Sequence, residues 1–137
     1  GAPEHFTGCK LLTVPSPDGK LCPGQCGRFL EVIGDTHAVQ PRVISISQPT
    51  ERGTVYTVDE VETIARFAHE NGIILHMDGA RLANAAVSLD NTLRGISFDA
   101  GVDVLSFGGT KCGLMFGEAV LFADMSHANE FCFIRSL

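Results

Sequence analysis

Between Thr57 and Gly72 the apolar residues Val58, Val61, Ile64, Ala65 and Ala68 return at helical spacing, with charged residues between them. Thr57 is followed three residues on by Glu60, the pattern of a capping box, and Gly72 stands where a left-handed residue closes a helix. The spacing predicts a helix over 57–71. Ile73 to Met77 follows at once, short and nearly all apolar, and Val102 to Phe107 has the same character; both read as strands buried on two faces of a parallel sheet. Val43 to Ser47 alternates apolar residues with serine and predicts another strand, and Ala119 to Ala123 a last one. Strand, helix and strand in this order form a right-handed crossover, so the pattern predicts an α/β fold. Around it, Lys10 to Val14 predicts a short strand before a turn at Pro15 to Gly19. Gly27 to Ile33, Ala80 to Ser88 and Thr92 to Phe98 predict short helices.

Composition fits one domain-sized core: 137 residues, 45% hydrophobic and 19% charged. A net charge of -6 offers no basic stripe for nucleic acid, and no apolar run is long enough to span a membrane. Gly-Ala-Pro-Glu-His at the start lacks the basic and apolar regions of a signal peptide. Cysteines at 9, 22, 26, 112 and 132 are odd in number, which favours reduced thiols and a cytoplasmic location. Cys22 and Cys26 make half a zinc site with no second pair, so no metal is expected. A start in Gly-Ala and an end inside a helical pattern at Ile134 to Leu137 give the expectation of a piece of a longer protein.

The candidate chemistry sits where two of the apolar runs end. Asp78 closes the run from Ile73, and Lys111 follows the run from Val102 through Gly108, Gly109 and Thr110. In open α/β sheets ligands lie beyond the carboxyl ends of strands, so adjacent strands would bring this acid and this amine to one site. The pair suits pyridoxal phosphate, whose aldehyde needs an amine and whose ring nitrogen needs a carboxylate to keep it protonated. Gly108 and Gly109 would let the backbone turn sharply and approach a flat ring. The same two residues also suit an ordinary surface salt bridge, and spacing alone leaves both readings open. Arg81 lies close enough for its planar fork to reach a carboxylate in the same pocket, and by its position alone reads first as a solvent-facing arginine on a helix. His76 shares a strand face with Asp78 and reads either as its support or as a core histidine.

His76-Met-Asp-Gly-Ala-Arg81 followed by Ser106-Phe-Gly-Gly-Thr-Lys111 resembles the threonine aldolase family, pyridoxal-phosphate enzymes of fold type I. Ser47-Gln-Pro-Thr-Glu-Arg-Gly-Thr-Val-Tyr56 is similar to the segment preceding the first motif in the bacterial-type branch. The resemblance implies that residues 1–137 are a partial cofactor-binding large domain, the central part of a three-layer, mostly parallel sheet with flanking helices. The N-terminal phosphate-binding segment and the C-terminal small domain would lie outside it. It implies Lys111 as the amine that holds pyridoxal phosphate and Asp78 as the partner of the ring nitrogen. Arg81 would hold the substrate carboxylate or cofactor oxygens, Thr110 the phosphate, and Gln48, with Thr50 and Glu51, the ring or the substrate. The implied reaction cleaves β-hydroxy amino acids such as threonine to glycine and an aldehyde, in a homo-oligomer when full length, with residues 1–137 alone inactive. A β-eliminating amino-acid lyase of the same fold and a truncated non-enzyme are the alternative readings. Cys112 departs from the asparagine usual in the family.

Overall fold

The computed structural model of the chain describes residues 2–129 and 131. The main elements are helix α1 (Ala2–Thr7), helix α2 (Pro23–Leu30), strand β1 (Val43–Ser47), helix α3 (Val58–Glu70), strand β2 (Ile74–Gly79), helix α4 (Leu82–Ser88), strand β3 (Val104–Gly108) and strand β4 (Glu118–Phe122). They build a four-stranded sheet in the order β1-β2-β3-β4. The first three strands are parallel, and β4 runs antiparallel to β3. The fold is α/β with a mostly parallel sheet.

Helix α3 starts as the sequence dictates. Thr57 Oγ1 accepts a hydrogen bond from the Glu60 N–H at 3.2 Å, and Glu60 Oε2 accepts one from the Thr57 N–H at 2.7 Å. Two of the N–H groups that the first turn leaves orphaned are thereby satisfied. Gly72 closes the helix at φ +65°, a conformation that costs an L side chain strain. The apolar stripe of α3 packs into one core with Ile44, Ile46, Leu75, Met77 and Leu105, which all point to the same side of the sheet. Each fully buried Val, Leu or Ile side chain there contributes roughly 1.5–3 kcal/mol.

Helix α4 covers the same side. A Cβ added at Gly79 would meet Leu105 Cδ1 at 2.8 Å and Leu82 Cβ at 3.2 Å, so strand, neighbour and helix close on one another only because residue 79 has no side chain. Both crossovers lie on one face for a geometric reason. The strands are laid down in a single direction, and right-handed connections that advance one way put their helices on the same side. The other face carries Ser45, Ser47, His76, Asp78, Val104 and Ser106, exposed or half-buried.

Three local expectations change. Lys10 to Val14 forms no strand; Leu11 and Leu12 are each 49% exposed, and the Leu11 N–H donates to a Glu4 carboxylate oxygen at 3.1 Å rather than to a sheet edge. Thr92 to Phe98 is a series of turns leading into a 3-10 turn at Phe98–Ala100. There Thr92 Oγ1 takes the Gly95 N–H as an N-cap would, but the Arg94 carbonyl accepts from the Ser97 N–H three residues on and the Asp99 N–H five residues on, so the four-residue ladder of an α-helix does not continue. The short helix expected over 27–33 runs instead from Pro23 to Leu30, with proline in its first turn and Gln25 Oε1 accepting from the Cys22 N–H at 2.9 Å. Cys132 and the pattern at Ile134 to Leu137 lie outside the described residues. No helix among the described residues is long and apolar enough to cross a membrane.

Candidate active site at the carboxyl ends of the parallel strands

Strand β2 carries Asp78 at its carboxyl end, in register between Ser47 of β1 and Ser106 of β3. The carboxylate is half-buried, and its Oδ1 accepts from the Ala80 N–H at 2.9 Å, which fixes the side chain against the turn into α4. The Asp78 carbonyl accepts from the Gln48 N–H at 2.9 Å, tying the loop after β1 to this point.

The adjacent parallel strand β3 leads to Lys111, which is exposed in a 3-10 turn, Thr110–Cys112, closed by Gly113 at φ +100°. The Gly109 N–H donates to the Gly117 carbonyl at 2.9 Å, so the lysine rides on a closed connection between β3 and β4. Gly108 and Gly109 serve this connection differently from the expectation. Gly109 lies at φ −93°, and the positive-φ turn falls at Gly113. A Cβ at Gly108 would meet Ala80 Cα at 2.8 Å and Glu118 Oε2 at 2.9 Å, and one at Gly109 would run into Leu114. Their missing side chains admit neighbouring parts of the chain itself.

Arg81 caps the start of α4, and its Nη1 donates to Glu51 Oε1 at 3.0 Å across from the loop after β1. The hydrogen bond from Arg81 and the charge of its guanidinium hold the Glu51 carboxyl below the usual range, and the Lys111 ammonium adds to that effect. Three strand-end segments thus bring Glu51, Arg81 and Lys111 within electrostatic reach of one another. Gln48 is placed otherwise than as a free contact group. It is 1% exposed, its Nε2 donates to the Tyr56 carbonyl at 2.8 Å, and its Oε1 accepts from the Tyr56 N–H at 2.9 Å. The Thr110 hydroxyl donates to Glu118 Oε1 at 3.1 Å, so Glu118, at the start of β4, holds the lysine loop. Cys112 Sγ lies 4.0 Å from the Ala80 carbonyl.

His76 joins three strands. Its Nδ1 is 2.8 Å from Ser45 Oγ on β1 and its Nε2 2.9 Å from Ser106 Oγ on β3. Burial pushes the imidazole's pKa below its ordinary value, against the opposing pull of Asp78. Ser45 and Ser106 carry no sequence signal for this role, because only the strand register brings them to the histidine. A cleft of about 310 Å³ lined by Val14, Pro15, Gly24, Gln25 and Arg28, and one of about 350 Å³ beside Lys20 and Glu60, contain none of Asp78, Arg81 and Lys111.

Residues 1–135 match the model of the beta-eliminating lyase family. The low specificity L-threonine aldolase of Pseudomonas sp. (strain NCIMB 10558) is 46% identical over 132 residues, which are 96% of this chain and 38% of that protein. The low-specificity L-threonine aldolase of Candida albicans is 46% identical over 55 residues, 40% of this chain and 14% of the relative. Among solved structures, a Leishmania major threonine aldolase superposes with a TM-score of 0.83 at 39% identity, covering 96% of this chain and 39% of that one. The chain therefore spans well under half the length of these relatives.

Proposed function

The chain belongs to the beta-eliminating lyase family, and we propose that within a full-length protein it forms part of the large domain of a pyridoxal-phosphate-dependent aldehyde-lyase that cleaves β-hydroxy amino acids such as threonine to glycine and an aldehyde. The observation that carries the reading is the placement of Asp78 and Lys111 at the carboxyl ends of adjacent parallel strands. The relatives named as threonine aldolases support the substrate class.

The residues present fit the cofactor by their chemistry. Asp78 is a carboxylate with Oδ1 anchored by a backbone N–H, and among the described residues no hydrogen bond reaches Oδ2. Lys111 is an accessible amine on the neighbouring strand's loop. When bound, pyridoxal phosphate supplies an electron sink for the bond between Cα and Cβ. Lys111 would anchor it through the amine, and Asp78 would keep a proton on its ring nitrogen. Arg81 would bind the substrate carboxylate, exchanging Glu51 for it, since the fork that now holds one carboxylate is matched to another. Thr110 and Gln48 act in this reading through the loops they brace, Thr110 by way of Glu118 and Gln48 by way of Tyr56.

Residues 1–137 as part of one large domain, a homo-oligomer when full length and a cytoplasmic setting belong to the same proposal. The odd number of cysteines in the sequence supports a reducing compartment. The test is product analysis of a full-length protein bearing this segment, supplied with threonine. Glycine with acetaldehyde is the expected outcome, and borohydride should fix a pyridoxyl label on Lys111, which Lys111→Ala removes together with turnover. Ammonia with 2-oxobutanoate would favour the β-elimination suggested by the family's description, and a label on Lys10 or Lys20 would overturn the lysine assignment.

A further inference from the structure

We propose that His76 is a positioning residue: by accepting a hydrogen bond from the Ser106 hydroxyl it keeps that hydroxyl away from Asp78, and so leaves the Asp78 carboxylate free for a ring nitrogen. The inference rests on the cofactor reading above and concerns a residue which that reading does not use.

Ser106 is the direct register partner of Asp78 on β3. Parallel strands lie about 4.8 Å apart and paired side chains share a face, so the serine hydroxyl is within reach of the carboxylate. A hydrogen bond from hydroxyl to carboxylate is charge-assisted and stronger than one between neutral groups. Left alone, Ser106 would make it. Instead, Ser106 Oγ lies 2.9 Å from His76 Nε2, a diagonal neighbour on the same face. The ring cannot swing away to release it, because Nδ1 is held at 2.8 Å by Ser45 Oγ from the opposite strand.

A neutral imidazole has one donor and one acceptor. The arrangement that restrains Ser106 puts the proton on Nδ1, where it is donated to Ser45, and leaves Nε2 to accept from Ser106. The surroundings of Asp78 agree. Among the described residues its carboxylate receives a hydrogen bond from the Ala80 N–H and none from Ser106. A second donor on this carboxylate would draw its lone pairs from the ring nitrogen and weaken the electron sink.

The test uses a full-length protein bearing this segment. In the unsubstituted protein, ¹⁵N shifts of the histidine ring should place the proton of His76 on Nδ1; a proton on Nε2 overturns the proposal whatever the variants do. His76→Leu should raise the dissociation constant for pyridoxal phosphate about tenfold, the scale of one charge-assisted hydrogen bond. Its crystal structure should show Ser106 Oγ turned to hydrogen-bond distance from Asp78. Adding Ser106→Ala to His76→Leu should restore cofactor affinity while the thermal midpoint stays low, a split that a purely structural histidine would not produce. His76→Gln, whose amide can both donate and accept, should bind cofactor much as the unsubstituted protein does. A double variant as weak as His76→Leu would overturn the role. Absence of glycine release from threonine in the unsubstituted protein would instead sink the functional reading, while the tautomer and the Ser106 position would still decide this one.

Discussion

Replacing Gln48 with alanine separates bracing from contact. The side chain is 1% exposed and makes two hydrogen bonds, at 2.8 and 2.9 Å, to the carbonyl and N–H of Tyr56, itself 1% exposed. Alanine removes both bonds and leaves a buried acceptor and a buried donor without partners, at roughly 1–3 kcal/mol each. Partial water entry lowers the sum, so the expected loss is about 3 kcal/mol, a large share of the ~5–15 kcal/mol that holds a domain folded. The loop between β1 and α3 would then lose the anchor at its far end, and with it the placement of Glu51 against Arg81. Urea unfolding followed by circular dichroism measures the loss, and Gln48→Glu, which sets a buried carboxylate oxygen against the Tyr56 carbonyl, should lose at least as much. A loss under ~0.5 kcal/mol, with cofactor affinity reduced in the full-length protein, would refute the bracing role and put the amide on the ligand.

What was legible in the sequence was local. Helix α3 is written in the stripe from Val58 to Ala68, the Thr57–Glu60 box and Gly72, all within one stretch of chain, and it forms as written. The parallel strands were legible because apolar runs between turn residues have few other destinations. Lys10 to Val14 misled because a strand also needs an edge to pair with, and that information lies elsewhere in the fold. The site divides in the same way. That Asp78 and Lys111 stand at strand ends follows from their own runs. That Ser45 and Ser106 flank His76 follows only from register, in which a shift of one residue would turn every side chain to the other face. Gln48 follows a strand end as a ligand contact would, but its side chain reaches eight residues forward to Tyr56 and is buried there.

Asp78→Asn in the full-length protein should still load with excess cofactor, at a dissociation constant raised by at least the roughly tenfold expected of His76→Leu, and lose most of kcat, because an amide cannot hold a ring nitrogen protonated; a change confined to KM would remove this role from Asp78. The second expectation concerns acid. His76 has its folded pKa pushed below the ordinary histidine value of 6.5 by burial. As pH falls, the unfolded chain therefore takes up this proton before the folded one, and stability rises with pH, and is lost as pH drops, wherever the unfolded state binds more protons. The contribution of the buried neutral ring is complete above about 6.5, declines as pH drops below that value, and is fully lost once pH passes the folded pKa. Carboxylates held below their usual range, such as Glu51 and Asp124, titrate in more acid solution, so the upper part of the acid limb reports on the histidine. His76→Gln removes the titrating group and should flatten the urea-midpoint profile just below pH 6.5. Profiles of equal slope there for the variant and the unsubstituted protein would mean that the imidazole takes up its proton as readily in the fold as in the unfolded chain, contrary to its burial between Ser45 and Ser106.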